Sequence, residues 1–467
     1  MNRFFIFILA AISPLLMVAQ TIKPLPPLPT QQQLEWHEME FYLFVHFGPN
    51  TFTGLEWGKG NEKTEIFNPS DLDCRQWARI AKQAGVRGII ITAKHHDGFC
   101  LWPSKFSDHS VAQSPWKNGK GDVLKDLSEA CREFGLKMGV YLSPWDRNHP
   151  DYGSDAYNDV FVHMMEEVVE NYGPFFEFWW DGANGEGPNG KTQEYNWKKF
   201  ISTLREIAPQ TLIFSDIGPD VRWVGNEKGF AGKTNWNLLN TDGFTPGAGS
   251  PPFDTLTTGN KYGKNWIPAE CDVSIRPGWF YHKEEDSLVK SGPTLFQLYL
   301  KSVGRGSNLL LNIPPNPKGL FSAEDSTALM EFRRLKESNL DKNHNLIKSI
   351  LIDGKNETSA LSDNLSSTFS KADQPINLVL ENSAMVNCLI LQEPIGLGQR
   401  ISSFSVIFLK GDLPVDSLEA TTIGRKRILT FPSKEVDKIE IRITGSKALP
   451  LLSEIKALKI SEEMIEK

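Results

Sequence analysis

The sequence predicts an α/β fold: a (β/α)8-like barrel of the TIM type followed by a C-terminal β-sandwich. Three observations point there. Between residues 40 and 320, apolar runs of strand length alternate with amphipathic stretches of helical period. Each amphipathic stretch stops at Gly or Pro shortly before the next apolar run. Beyond residue 350 the helical period vanishes, and short apolar runs separated by turn residues take over.

The N-terminus stands apart from this scheme. Asn2 and Arg3 precede an apolar run over 4–18 that ends in the small residue Ala19. This is the pattern of a secretory signal peptide, assigned here to residues 1–19. Pro14 interrupts the run, which is short for a spanning helix. No Cys stands at the cleavage point to suggest a lipid anchor. The expectation is an exported chain, periplasmic or secreted, with no membrane span.

The barrel strands are read in order. FYLFVHFG (41–48), GIIITAKH (88–95), KMGVYLSP (137–144), FFEFWWDG (175–182) and TLIFSDIG (211–218) are nearly continuously apolar. Parallel strands covered on both faces look like this. AECDV (269–273) and SNLLLNIP (307–314) add two more, and an eighth is not legible. Ser70 is expected to cap a helix bearing Leu72, Trp77, Ile80 and Ala84, stopped by Gly85. Further helices are expected over 122–135, 156–172, 194–208 and 322–339. No Gly-rich phosphate loop follows the first strand, which disfavours an open nucleotide-binding sheet. INLVLEN, NCLILQE, SSFSVIFLK, RILTFP and KIEIRITG are read as separate strands of the sandwich. At 467 residues the chain exceeds one ordinary core. It divides into a barrel over 20–345 and a sandwich over 346–467.

Composition removes several function classes. A net charge of −7, with no basic arm or zinc-finger spacing, argues against nucleic acid. Cys74, Cys100, Cys131, Cys271 and Cys388 lack metal spacing, and four of them fall inside apparent helices or strands, as buried thiols do. The 13 Trp supply either packing or platforms for the apolar faces of sugars.

The informative residues are polar groups at strand ends. They are His46; Lys94, His95, His96 and Asp97; Tyr141 and Asp146; Asp181; Asp216; and Glu270 with Asp272. In a barrel these ends converge on the C-terminal face, where such folds keep their active sites. Asp181 follows two Trp and precedes Gly182, so it suits a rigidly held nucleophile. Asp-Gly is equally a common turn, and the residues alone leave both readings open. The His95-His96-Asp97 run invites a metal, yet neighbouring strand residues point to opposite faces and no H-E-x-x-H occurs. Sugar-hydroxyl donors are the better use of these imidazoles.

The motifs FVHFG, GLEW, AKHHDGF, VYLSPWD, FWWDGANG and SNLLLNIPPNPKG, in this order over residues 30–340, resemble those of family 29 α-L-fucosidases. The resemblance implies Asp181 as nucleophile and a fucose pocket lined by His46, Glu56, Trp57, His95, His96 and Tyr141. It implies a fucosylated oligosaccharide or glycoconjugate as substrate, with no metal and no organic cofactor. GPDVRWVGNEKG (218–229) is similar to the branch that cleaves α-1,3 and α-1,4 linkages, which makes Glu227 the general acid/base. Glu270, in PAECDVSIRPGWFYH (268–282), is its rival because it is read at a strand end. Arg276 and Trp279 are read as lining the pocket or holding Glu270, or else as an ion pair and a packed ring. The expected reaction retains configuration, with carboxyls roughly 5–5.5 Å apart. A broad-specificity fucosidase, an α-L-galactosidase and a non-catalytic sugar-binding protein are the alternatives. The sandwich is either a carbohydrate-binding module or a packing domain.

Overall fold

A computed structural model describes residues 22–247 and 249–466. The signal peptide read over 1–19 lies outside the described residues.

Helix α1 (Gln31–Met39) opens the chain through a capping box, in which Thr30 and Gln33 satisfy each other's backbone amides. Strands β1 (Phe41–Val45), β2 (Gly88–Lys94), β3 (Lys137–Leu142), β4 (Glu177–Trp179) and β5 (Leu212–Ser215) follow as the apolar runs predict. The missing strand is β6 (Val221–Trp223), only three residues long. It pairs parallel to β5 after residues 216–220, with no helix between them. Gly218, at φ +105°, makes that tight connection. A strand this short, without its own helix, has no periodicity to betray it. An antiparallel pair, β7 (Leu238–Leu239) and β8 (Asn265–Trp266), intervenes before β9 (Ala269–Ser274) and β10 (Asn308–Asn312). The barrel closes in the order β1-β10-β9-β6-β5-β4-β3-β2, all neighbours parallel.

The helices are α2 (Asn50–Thr53), α3 (Cys74–Gln83), α4 (Val123–Phe134), α5 (Ala156–Tyr172), α6 (Trp197–Ile207), α7 (Phe253–Thr258), α8 (Gly292–Lys301) and α9 (Ala323–Leu340). Helix α3 corrects one expectation. Its cap is Asp73, whose carboxylate accepts from the amides of Arg75 and Gln76, whereas Ser70 donates to Asp71 before the helix begins. A cap must sit two or three residues from the amides it serves, and only Asp73 does. All five Cys are buried and unpaired.

The C-terminal region is an antiparallel sandwich with longer strands than the runs suggest. INLVLEN and NCLILQE are one strand, Ile376–Gln392, and RILTFP and KIEIRITG are another, Arg427–Ser446. Register shifts at 379–384 and 386–388 let the pair bend without ending. Polar residues inside a bulged strand resemble a turn in sequence, which divides one strand into two.

Barrel and sandwich share a core. Cys388, Ile390, Ile428 and Leu458 pack into the same apolar cluster as β1 and α8. At its edge Arg425 pairs with Glu38 at 2.7 Å, and Asn237 N–H donates to Gln399 at 2.8 Å. Among the described residues, no helix is long and apolar enough to cross a membrane.

Candidate active site

Alternation along parallel strands places inward residues in tiers. On β1 the inward column is Tyr42, Phe44 and, just beyond, His46; on β4 it is Glu177, Trp179 and then Asp181. On β9 it is Glu270, Asp272 and Ser274. Contacts between columns confirm the tiers. Tyr42 hydroxyl donates to both Glu177 and Glu270 in the lowest one. In the middle tier Phe44 packs on Trp179 at 5.4 Å, and Trp179 stacks on Phe214 at 4.0 Å. The top tier opens at the C-terminal face and holds Asp181.

Asp181 stands just past the end of β4. Its Oδ1 accepts from the amide of Ala183 at 2.8 Å, and its Oδ2 accepts from Tyr141 hydroxyl at 3.1 Å. His96 Nε2 lies 3.6 Å from the same Oδ2. Strand β2 has ended at Lys94, so the His95 and His96 rings fall on one side, 4.2 Å apart. His95 stacks on Tyr141 at 5.8 Å and meets His46 edge-on at 5.7 Å. His46 is steered by Asn312, whose Oδ1 lies 2.8 Å from its Nδ1. Trp57 is exposed at the rim and meets His96 edge-on at 5.7 Å. Burial lowers His46 to about 3 and His96 to about 4, and lowers His95 well below its usual value. The three imidazoles are therefore neutral, and His46, with its Nδ1–H given to Asn312 Oδ1, offers Nε2 as an acceptor to a hydroxyl.

Glu56 sits differently from the other residues named in the sequence. Its carboxylate accepts from the amides of Trp279 (2.7 Å) and Phe280 (3.3 Å) and meets His282 Nε2 at 2.6 Å. It reaches the His46 side of the site through Trp279, whose ring lies 5.1 Å from His46.

Beside Asp181 lies a cavity of about 260 Å³, lined by Trp179, Asp181, Asp216, Trp223, Glu227, Phe253 and Asp272. Glu227 stands four residues beyond the end of β6, at the cavity's edge. The segment 218–229 that carries it contains this short strand, which the sequence did not reveal. Its carboxyl is raised above the usual Glu value, first by burial and then by the charges of Asp181 and Glu56, while Trp279 N–H, 3.4 Å away, opposes the rise.

Glu270 is not at a strand end. It is the second residue of β9, two tiers below Ser274, and has no exposed surface. Trp179 Nε1 donates to one oxygen at 2.9 Å and Tyr42 hydroxyl to the other. Glu177 faces it in the same buried tier, and burial pushes both carboxyls up, with the charge of Glu270 adding to the rise at Glu177. The pair is sealed beneath the floor and cannot reach a leaving group.

Two carboxyls lining the cavity were read from sequence only as strand-end residues. Asp216 accepts from the amide of Gly247 and is pushed up to about 6 by burial. Asp272 accepts from Trp223 Nε1 at 2.9 Å, and burial raises it well above its usual value. Their inward parity on β9 and after β5 was the available signal. Arg276 proves to be a fully buried ion pair with Asp325 (3.0 Å) and Asp286 (3.0 Å), away from the cavity.

An alpha-L-fucosidase family model matches residues 24–338. Alpha-L-fucosidase 1 of Arabidopsis thaliana is 40% identical over 470 residues, covering 96% of this chain and 92% of that protein. A glycoside hydrolase 29 family member from an unknown rumen bacterium has a crystal structure similar at a TM-score of 0.85 and 40% identity, covering 94% of this chain and 78% of that one. A Ruminococcus gnavus family 29 fucosidase in complex with fucose is similar at a TM-score of 0.87 and 30% identity, covering 96% and 98%. The chain belongs to the α-L-fucosidases of glycoside hydrolase family 29 and is an enzyme of that class.

Proposed function

We infer that the enzyme removes terminal α-1,3- or α-1,4-linked L-fucose from branched glycans with retention of configuration. The carrying observation is that Asp181 and Glu227 line one cavity while Glu270 lies sealed beneath its floor. Asp181, oriented by Ala183 N–H and Tyr141 hydroxyl, attacks the anomeric carbon and forms a covalent fucosyl-enzyme. Glu227, protonated, donates to the departing oxygen and then, as carboxylate, takes a proton from the incoming water. Formation of the covalent intermediate removes the Asp181 charge that helps raise Glu227, which suits the change from acid to base. His46, His95, His96, Glu56, Trp57 and Tyr141 surround the sugar. On the leaving-group side, Trp223 meets the exposed Phe253 edge-on at 5.6 Å, and such rings suit the apolar faces of neighbouring sugars. Together with the GNEKG segment around Glu227, they support a branched substrate.

Asp181→Ala is expected to abolish turnover without altering the fold. Glu227→Ala is expected to lose about 10²–10⁴-fold on a natural glycan, with much less loss on an aryl fucoside. Azide is expected to restore its turnover as a fucosyl azide. Near-normal hydrolysis by Asp181→Ala, or azide rescue at Glu270→Ala in place of Glu227→Ala, would overturn the assignment. Preference for a Lewis-type oligosaccharide over a simple aryl fucoside tests the linkage. Export by the leader over 1–19 is proposed with it, and N-terminal sequencing of the mature protein checks cleavage.

A further inference from the structure

We propose that His282 is a positioning residue for the general acid/base, acting through Glu56 and Trp279. It rests on the reading of Glu227 given above.

The loop between β9 and α8 is fastened at both levels. At its base, buried Arg276 is held by Asp325 and Asp286. Toward the rim, the Glu56 carboxylate collects the amides of Trp279 and Phe280 and the ring nitrogen of His282. Beside a carboxylate that nitrogen is a donor, so His282 completes a three-donor clamp. A Cβ at Gly278 would lie 2.5 Å from Glu56 Oε1 and 3.1 Å from the His282 ring, so a larger residue there would push on both members of the clamp. Asn312 secures the opposite edge by donating to the carbonyl of Trp279 at 2.8 Å, while its Oδ1 holds His46.

Trp279 is thereby fixed on four sides. Its amide is on Glu56, its carbonyl on Asn312, its ring against His46, and its indole N–H directed at Glu227 Oε2, 3.4 Å away. Glu227 itself stands on a loop with no strand beneath it. The indole is the contact that ties this loop carboxyl to the sugar side of the site. His282 touches neither the cavity nor Asp181, so its effect must pass along the loop. The charged groups facing Glu227 are Asp181 and Glu56, and Glu227 in turn acts on Asp272.

The distinguishing readout is leaving-group dependence. A dinitrophenyl fucoside departs without protonation, whereas a glycan needs the acid in its first step. His282→Ala is expected to lower kcat/KM on a Lewis-type oligosaccharide at least about tenfold and on the dinitrophenyl fucoside less than about threefold. His282→Gln, which keeps a donor near Nε2, is expected to recover most of the loss. Trp279→Phe removes the N–H that opposes the rise at Glu227, so the alkaline limb of kcat/KM should move up by at most about one pH unit. His282→Ala should move it the same way, and in a Glu227→Gln background it should add no further leaving-group-dependent loss. Equal losses on both substrates with an unmoved limb would mean that His282 is only structural, and the proposal fails. If Glu227→Gln itself shows no leaving-group dependence, the acid/base reading has failed instead. Thermal melts of each variant separate a misfolded protein from a mispositioned one.

Discussion

Glu227 illustrates what a single side chain carries here. Its carboxyl is raised by burial first and by neighbouring charge second, and a general acid, the role proposed for it, must be protonated to act. Activity therefore persists above the ordinary Glu value and falls as pH rises through the elevated one. The alkaline limb of kcat/KM on a glycan should lie above about 4.5 and disappear in Glu227→Gln. A limb unchanged in that variant would assign it to another group. Asp181, Tyr141 and the histidines were legible in the sequence because each closes a recognisable apolar run, and strand ends converge in any closed barrel. Glu227 follows no such run. It was reached by resemblance alone, since its own strand is three residues long. His282 carried no signal at all, because its partner Glu56 lies 226 residues away.

At the scale of elements, the floor of the barrel makes a measurable demand. Glu177 and Glu270 are buried together, and both titrate above their unfolded values. A carboxyl whose folded pKa is raised has no penalty below the unfolded value of about 4.5. Its stability cost grows as pH rises from there toward the folded pKa, by up to about 1.4 kcal/mol per unit. Glu177→Gln keeps an acceptor for Trp36 Nε1, which now donates to Glu177 at 2.9 Å. The variant should melt increasingly above wild type between about pH 5 and about pH 8. A difference that does not change with pH would show that burial does not raise these carboxyls. The loop after β9 makes the opposite kind of demand. Asp325→Ala leaves Arg276 buried with only Asp286, and breaking such a pair costs about 3 kcal/mol. Denaturant midpoints check this, and glycan turnover should fall as well, because the same loop carries Trp279.

At the scale of the whole molecule, two architectures share one apolar core. Cys388, Ile390, Ile428 and Leu458 of the sandwich complete the apolar cluster of the barrel. Arg427 of the sandwich donates to the carbonyl of Lys233 at 2.7 Å, and Arg305 of the barrel pairs with Glu466. This favours a packing role for the sandwich over an independent carbohydrate-binding module. A chain ended near residue 345 should expose that apolar face and fail to give a stable barrel, by solubility and thermal melting. A barrel that melts cooperatively at the full-length temperature would refute a shared core. The segment before α1 belongs to this interface as well: Leu25 N–H donates to the carbonyl of Leu397 at 3.0 Å.

The sequence by itself determined seven barrel strands, the change to a sandwich, and the residues at the C-terminal rim, because each is written in local periodicity. The family, and with it the proposal of Asp181 as nucleophile, came from the order of those rim motifs. Only the tertiary structure decided which carboxyl faces the cavity. Glu270 and Glu227 both look available in one dimension. Depth along a strand, measured in tiers of a closed barrel, seals the first beneath Trp179 and leaves the second at the edge of the cavity. The same closure revealed β6, merged four apparent strands into two, and brought His282 to Glu56. Those features depend on what lies across the barrel or the sheet, and a local pattern carries no record of it.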